Sequence, residues 1–176
     1  MAEQVTELVS EAEYLATVYE PDAEFVDGVI EERSAGNKDH AKWQVALTYF
    51  FSLKAVEWHL LVRTELRNKI RERHYRIPDV ALYDSDVAEE AVPVHPPLAV
   101  FEIVSPDVRH ASLMTRLADF EAMGVVAIYL VYPETGQFSR FQTGQLSRVV
   151  TVTFPENSVG NRERTVQVEE IASLVR

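Results

Sequence analysis

Hydrophobic positions follow two rhythms along the chain, one helical and one alternating. From Thr6 to Tyr19, Leu8, Ala12, Leu15 and Val18 recur near one helical face, and Pro21 closes the segment. "EFVDGVIEER" then places two short apolar runs around Asp27-Gly28. That dipeptide tolerates the positive φ of a tight turn, so a hairpin is predicted. Asn37 or Asp39 can N-cap a second helix, from about Lys38 to Glu57. Trp43, Leu47, Phe50 and Lys54 follow one of its faces, while Val45, Tyr49, Phe51, Leu53 and Val56 cover much of the rest. A helix this apolar all round is expected to be buried on more than one side, by the sheet or by a second subunit.

From His59 to Asp84 the pattern turns to strands. In "LLVRTELRNKIRERHYR", Arg67, Lys69, Arg71 and Arg73 share parity and would face one side of a strand. "RIPDVALYD" is a further strand, and Asp84 to Pro97 reads as an acidic, proline-bearing loop. "LAVFEIVSPD" follows, an apolar strand stopped by Ser-Pro-Asp. A helix is predicted over Ala111 to Met123, with Leu113, Leu117 and Phe120 inward and Gly124 in the favoured C′ place. "VVAIYLVYP" has the nearly continuous apolarity of a central strand covered on both faces. Turns at "ETGQ" and "TGQ" separate strands at Phe138 to Gln142 and Arg148 to Phe154, and "VEEIASLV" suits a short closing helix. The sum is one α/β (α+β) domain over residues 1–176. Its mixed sheet is built mostly of consecutive hairpins around one strand–helix–strand unit.

Composition narrows the class. The chain has 176 residues, 47% hydrophobic and 26% charged, enough for a sizeable core. No apolar run reaches the roughly 18 residues of a membrane span. The acidic "MAEQVTELVSEAEYL" does not read as a signal peptide, and cysteine is absent, so a cytoplasmic location without disulfides or thiolate chemistry is expected.

The net charge of −11 argues against polyanions until its distribution is considered: 6 of the 17 basic residues lie between Arg63 and Arg76. Such a strip is either a solvated face or the footprint of a polyanion that touches one side of an acidic body.

Two acids interrupt apolar strands: Asp79 in "RIPDVAL" and Glu102 in "LAVFEIV". By alternation Asp79 shares a face with Ala81, and Glu102 with Val100 and Val104. On neighbouring strands the two carboxylates would converge and repel, and a divalent cation resolves that conflict. Oxygen ligands without cysteine favour Mg²⁺ or Mn²⁺, which can activate water and stabilise charge on a phosphoryl oxygen. The alternative on the residues alone is an acid solvated or paired with arginine.

The series "IPDVALYD … PPLAVFEIVSPD … RLADFEAMGVVAIYLVYPETG" resembles the Uma-two family, a group assigned to the restriction endonucleases within the PD-(D/E)xK nuclease superfamily. "AEYLATV" and "AEFVDGVIEE" resemble its opening helix and Glu-containing Asp-Gly hairpin, "NKDHAKWQVALTYF" its helix beginning near a histidine, and "EIVSPD" its Glu-Val-x-Ser-Pro signature. The resemblance implies a restriction-endonuclease-like mixed sheet flanked by helices and a metal-dependent DNA phosphodiesterase. It implies Asp79 and Glu102 as metal-binding acids, Glu24 as a third acid, the Ile103 carbonyl as a further ligand, and His40 facing the site.

The superfamily lysine would stand at position 104, which is valine here. In much of the family a lysine stands in the next helix instead, four residues before an aromatic. That place is Arg116, ahead of Phe120. Arginine stays charged, so it suits transition-state stabilisation better than proton transfer. Phe120 also replaces a usual tyrosine, and Leu130 a common tryptophan.

DNA is the implied partner, with Arg67, Lys69, Arg71, Arg73 and Arg76 positioned for backbone phosphates and a homodimer to cut both strands. The competing class is a nuclease fold with an impaired site that serves as a nucleic-acid or protein-binding module. On the residues alone, Glu24 also suits a solvent-facing hairpin position, His40 a hydrogen bond at a helix start, and Arg116 a surface ion pair with Asp119 or Glu121. Arg109 and His110 follow Ser-Pro-Asp in a loop, where phosphate contact is one alternative. Ser105 has no His–Asp relay to make it a nucleophile.

Overall fold

A computed structural model of the chain describes residues 8–33, 36–106, 109–155 and 163–175. The elements in chain order are α1 (Glu11–Ala16), β1 (Ala23–Val26), β2 (Val29–Glu32), α2 (Lys38–Trp58), β3 (Leu60–Thr64), β4 (Asn68–Arg71), β5 (His74–Arg76) and β6 (Val80–Asp84). Then come β7 (Ala99–Ile103), α3 (His110–Met123), β8 (Ile128–Tyr132), β9 (Gln137–Gln142), β10 (Gln145–Val149), β11 (Thr151–Phe154), β12 (Arg164–Gln167) and α4 (Val168–Ala172).

A six-stranded sheet in the order β10-β9-β8-β7-β6-β3 forms the centre. Its one parallel pair is β7–β8, and α3 makes the crossover between them, as the strand–helix–strand pattern predicts. A second sheet, β2-β1-β5-β4, stands beside it, and β11–β12 form a separate ribbon. Alternation along the central strands assigns the two faces. Val80, Leu82, Ala99, Phe101 and Ile103 pack against Trp43, Leu47, Phe50 and Phe51 of α2. Ala81, Val100, Ile128 and Leu130 pack against Leu113, Leu117 and Phe120 of α3. Asp79 and Glu102 carry the parity of the α3 face, so Glu102 points where α3 passes.

Local signals explain most boundaries. The Asn37 side chain accepts from the N–H groups of Asp39 and His40 and starts α2. Gly124, at φ 106°, ends α3 as its C′ position requires. Asp27 and Gly28, at φ 52° and 98°, make the hairpin turn between β1 and β2.

Three expectations need correction. The first helix, expected over Thr6 to Tyr19, is the single run Glu11–Ala16, capped by Ser10 and ended by extended Thr17; residues 1–7 lie outside the described residues. The run Arg148 to Phe154 is two strands in different sheets, because β10 pairs with β9 and β11 with β12. No single strand carries Arg67 to Arg73: the chain turns at Glu72-Arg73, Arg73 has φ 57°, and the register slips between Lys69 and Arg71. Of the two covers expected for α2, the sheet supplies one side, and the second-subunit alternative concerns the other. Val45, Tyr49, Leu53 and Val56, the last 92% accessible, form an exposed apolar row along its outer face.

Candidate active site

The first wall of the site comes from the smaller sheet. Along β5, Tyr75 faces Tyr14 and Phe25, so His74 and Arg76 must face the opposite way, toward α3. His74 Nε2 lies 2.9 Å from Asp119 Oδ2. Arg76 donates through Nε to the same oxygen at 2.7 Å, and through Nη1 to Glu24 Oε2 at 2.7 Å and Glu31 Oε2 at 2.8 Å. Glu31 stands opposite Glu24 in the β1–β2 register, which lets one guanidinium serve both. Glu24 is fully buried, and its other oxygen accepts the Ile77 N–H at 2.9 Å.

The second wall comes from the central sheet. Asp79 lies immediately before β6 and reaches across to β7, where its Oδ2 accepts the Ile103 N–H at 2.7 Å. His40 Nε2 stands 3.2 Å from that oxygen, and Arg33 Nη2 donates to Oδ1 at 2.6 Å. Burial works to raise the Asp79 carboxyl, but His40, Arg33 and the Ile103 N–H together hold it below the usual carboxylate range.

Glu102 has the reverse balance. Burial, with Asp79 adding to it, pushes its carboxyl up to about 8, against the opposing charges of Arg116 and Arg33. Its Oε2 meets Arg116 Nη1 at 3.3 Å, while its Oε1 is buried without a hydrogen-bond partner among the described residues. Arg116 also donates through Nε to Glu24 at 3.3 Å. It therefore turns inward and joins the two walls, rather than pairing with Asp119 or Glu121 on the surface.

A pocket of about 200 Å³ opens here, lined by Arg33, His40, Asp79, Glu102, Arg109 and Arg116 among others. Asp79, Glu102, His40 and Arg116 thus converge. Glu24 belongs to the same charge network but not to the pocket wall, because the Arg116 guanidinium stands between it and Glu102. Among the described residues no three His, Asp or Glu side chains stand close enough to hold one metal ion, so the expected three-acid set is not assembled. What does fit a hard cation is the pair Asp79 and Glu102, one of which presents an unpartnered buried oxygen.

The basic strip divides. Arg76 is buried and locked to three acids, so it cannot meet phosphate from the surface. Lys69 pairs with Glu11 at 2.7 Å, Arg71 with Asp27 at 2.7 Å, and Arg67 lies over the Tyr14 ring at 4.2 Å. Arg73 is exposed in the hairpin turn. Sequence reasoning missed Arg33 and the inward role of Arg76. Strict alternation from Tyr75 was the signal for Arg76; Arg33 had none, since its partner is 46 positions away.

Comparisons with known proteins agree on the fold. The crystal structure titled as a "putative nuclease belonging to DUF820" from Anabaena variabilis ATCC 29413 superposes with a TM-score of 0.75 at 17% identity, over 96% of this chain and 99% of that one. No curated protein matches. The model of the Uma2 family, described as "Putative restriction endonuclease", matches residues 12–171, and the chain belongs to that family.

Proposed function

We propose that the chain is a metal-dependent endonuclease that hydrolyses DNA phosphodiester bonds. Asp79 and Glu102 would hold Mg²⁺ or Mn²⁺, with the Ile103 carbonyl beside them. The observation that carries this reading is their convergence in one pocket, where a buried Glu102 oxygen lacks a hydrogen-bond partner among the described residues. When bound, a hard divalent cation supplies Lewis-acid stabilisation of a phosphoryl oxygen.

The chain's own residues supply fixed charge. Arg116, held by Glu24 and Glu102, presents a guanidinium where negative charge builds on the transferring phosphoryl group. His40 and the Ile103 N–H fix the Asp79 carboxylate in place. Val104 can neither accept nor donate a proton, and arginine does not give one up, so neither position supplies a general base and Arg116 acts through orientation and electrostatics.

Supercoiled plasmid incubated with Mg²⁺ or Mn²⁺, beside EDTA and Glu102→Gln controls, tests this. Nicking that needs the metal and is lost in Glu102→Gln is expected. Nicking that survives either control overturns the assignment. Absence of nicking by the wild type favours the other reading, a nuclease fold kept as a nucleic-acid or protein-binding module.

We also assign the exposed row of α2 to contact with a second copy of the chain. The row complements itself when two helices run antiparallel about Tyr49: Val45 then faces Leu53, and Val56 near one end faces the aliphatic stem of Lys42 near the other. Light scattering at micromolar concentration is expected to give twice the mass of the chain, and Tyr49→Glu half as much.

A further inference from the structure

Of the guanidiniums that contact an acid of the site, Arg33 has the fewest ties, and Arg109 also lines the pocket. Arg116 is held between Glu24 and Glu102, and Arg76 between Glu24, Glu31 and Asp119. The Arg33 side chain makes a single ion pair among the described residues, to Asp79 Oδ1, and stays 12% accessible at the pocket rim. Its backbone is fixed independently, since its N–H donates to the Asp22 carbonyl at 2.9 Å. The side chain can therefore move without disturbing β2. The other Asp79 oxygen already receives the Ile103 N–H and faces His40, so Oδ1 is the oxygen that an incoming cation can take.

Charge balance points the same way. Among the lining residues Glu32, Asp79 and Glu102 are matched by Arg33, Arg109 and Arg116, which leaves the fully ionised pocket neutral. A divalent ion added to that set creates an excess of two positive charges, and a guanidinium within hydrogen-bond distance of the ion's ligand is repelled. Released from Asp79, Arg33 lies at the rim of a positively charged pocket. Its planar fork there suits the two free oxygens of a phosphodiester.

On the strength of the metal-dependent reading above, we propose that Arg33 stands in for the divalent cation on Asp79 and, once displaced by it, binds a backbone phosphate of the DNA. The residue then has two opposite effects. It weakens metal binding in the absence of DNA, and it strengthens DNA binding in the presence of metal.

The test uses the full chain, Mn²⁺ and a phosphorothioate-backbone duplex that resists cleavage. Calorimetric titration with Mn²⁺, without DNA, is expected to show binding about tenfold tighter in Arg33→Gln than in wild type, with Arg33→Lys between them. In fluorescence anisotropy with saturating Mn²⁺, Arg33→Gln is expected to lose about one unit from the slope of log affinity against log salt, the signature of one lost phosphate contact. In EDTA, where wild-type Arg33 is tied to Asp79, the two slopes are expected to coincide.

Equal or weaker Mn²⁺ binding by Arg33→Gln overturns the inference while leaving the metal site standing. So does a salt slope that changes equally in Mn²⁺ and in EDTA. If wild type binds Mn²⁺ no better than Asp79→Asn, the metal-dependent reading itself fails and takes the inference with it. Thermal unfolding of each variant in EDTA separates these outcomes from misfolding, and Arg33→Lys keeps the test open should Arg33→Gln fail to fold.

Discussion

Glu24 and Glu102 are the same residue type, almost equally buried at 0% and 2% accessibility, and both touch Arg116. Their surroundings differ. Glu24, on the smaller sheet, has one oxygen on the Ile77 N–H and the other shared by Arg76 and Arg116. Glu102, on the central sheet, has one long contact to Arg116 and one oxygen with no partner among the described residues. A saturated buried carboxylate is part of the framework. An unsaturated one costs stability as it stands and gains most from a cation. The region around Glu24 therefore holds the site in shape, and the region around Asp79 and Glu102 is where chemistry can happen.

Removing a partner from each region separates the two roles. Arg76→Met strips Glu24, Glu31 and Asp119 of their shared guanidinium at once. Truncating one member of a buried ion pair typically costs about 3–5 kcal/mol, and a loss of that size is expected in urea unfolding. Little or no loss would mean that the Glu24 network is not a framework.

Glu102→Gln should act oppositely. It removes a carboxylate that burial already penalises, so stability in EDTA is expected to stay level or rise at pH 8, while Mn²⁺ binding by calorimetry disappears. The pH dependence fixes the sign. The folded-state value of about 8 lies above the ordinary 4.5, so the folded protein keeps a proton that the unfolded chain releases. This contribution lowers stability as pH rises from about 4.5 to about 8, by on the order of 1 kcal/mol per pH unit. Asp79, held below its ordinary 3.8, acts in the other direction and only at more acidic pH. Unfolding of the metal-free protein across this range should show the downward slope in wild type and a flatter curve in Glu102→Gln. Matching slopes would remove the distinction between the two glutamates.

The same contrast shows what the sequence could and could not disclose. Both helices that flank the central sheet carry their boundaries locally, in the Asn37 cap and the Gly124 C′ residue. The convergence of Asp79 and Glu102 followed from alternation on strands that are in fact neighbours. The β4–β5 hairpin was hidden because its turn uses Glu72 and Arg73, with no glycine to mark a positive φ. The arginine partners were hidden for a different reason. Arg33 meets Asp79 from 46 residues away and Arg76 meets Glu24 from 52, and no local pattern encodes an ion pair at that separation. The charge run therefore looked like one outward strip, when its last member is the most buried cation of the site.

The smallest expected effect probes the Asp79 side alone, without touching a charge. Gly36 precedes α2, and a Cβ placed there would lie 2.6 Å from His40 Nδ1 and 3.0 Å from its Cγ. The imidazole must then shift, and its Nε2 is the atom that stands 3.2 Å from Asp79. Asp79 keeps the Ile103 N–H and Arg33, so stability should change by about 1 kcal/mol or less in Gly36→Ala. Orientation is more sensitive than stability, because a displacement of about 1 Å at a reacting group can cost a hundredfold in rate. A shift of a few tenths of an ångström is expected to lower plasmid nicking by about tenfold, with the Glu24 network and the urea midpoint nearly unchanged. If nicking is unaffected while the ring has moved, His40 does not position Asp79. The metal-loaded Asp79 would then be positioned by the Ile103 amide alone.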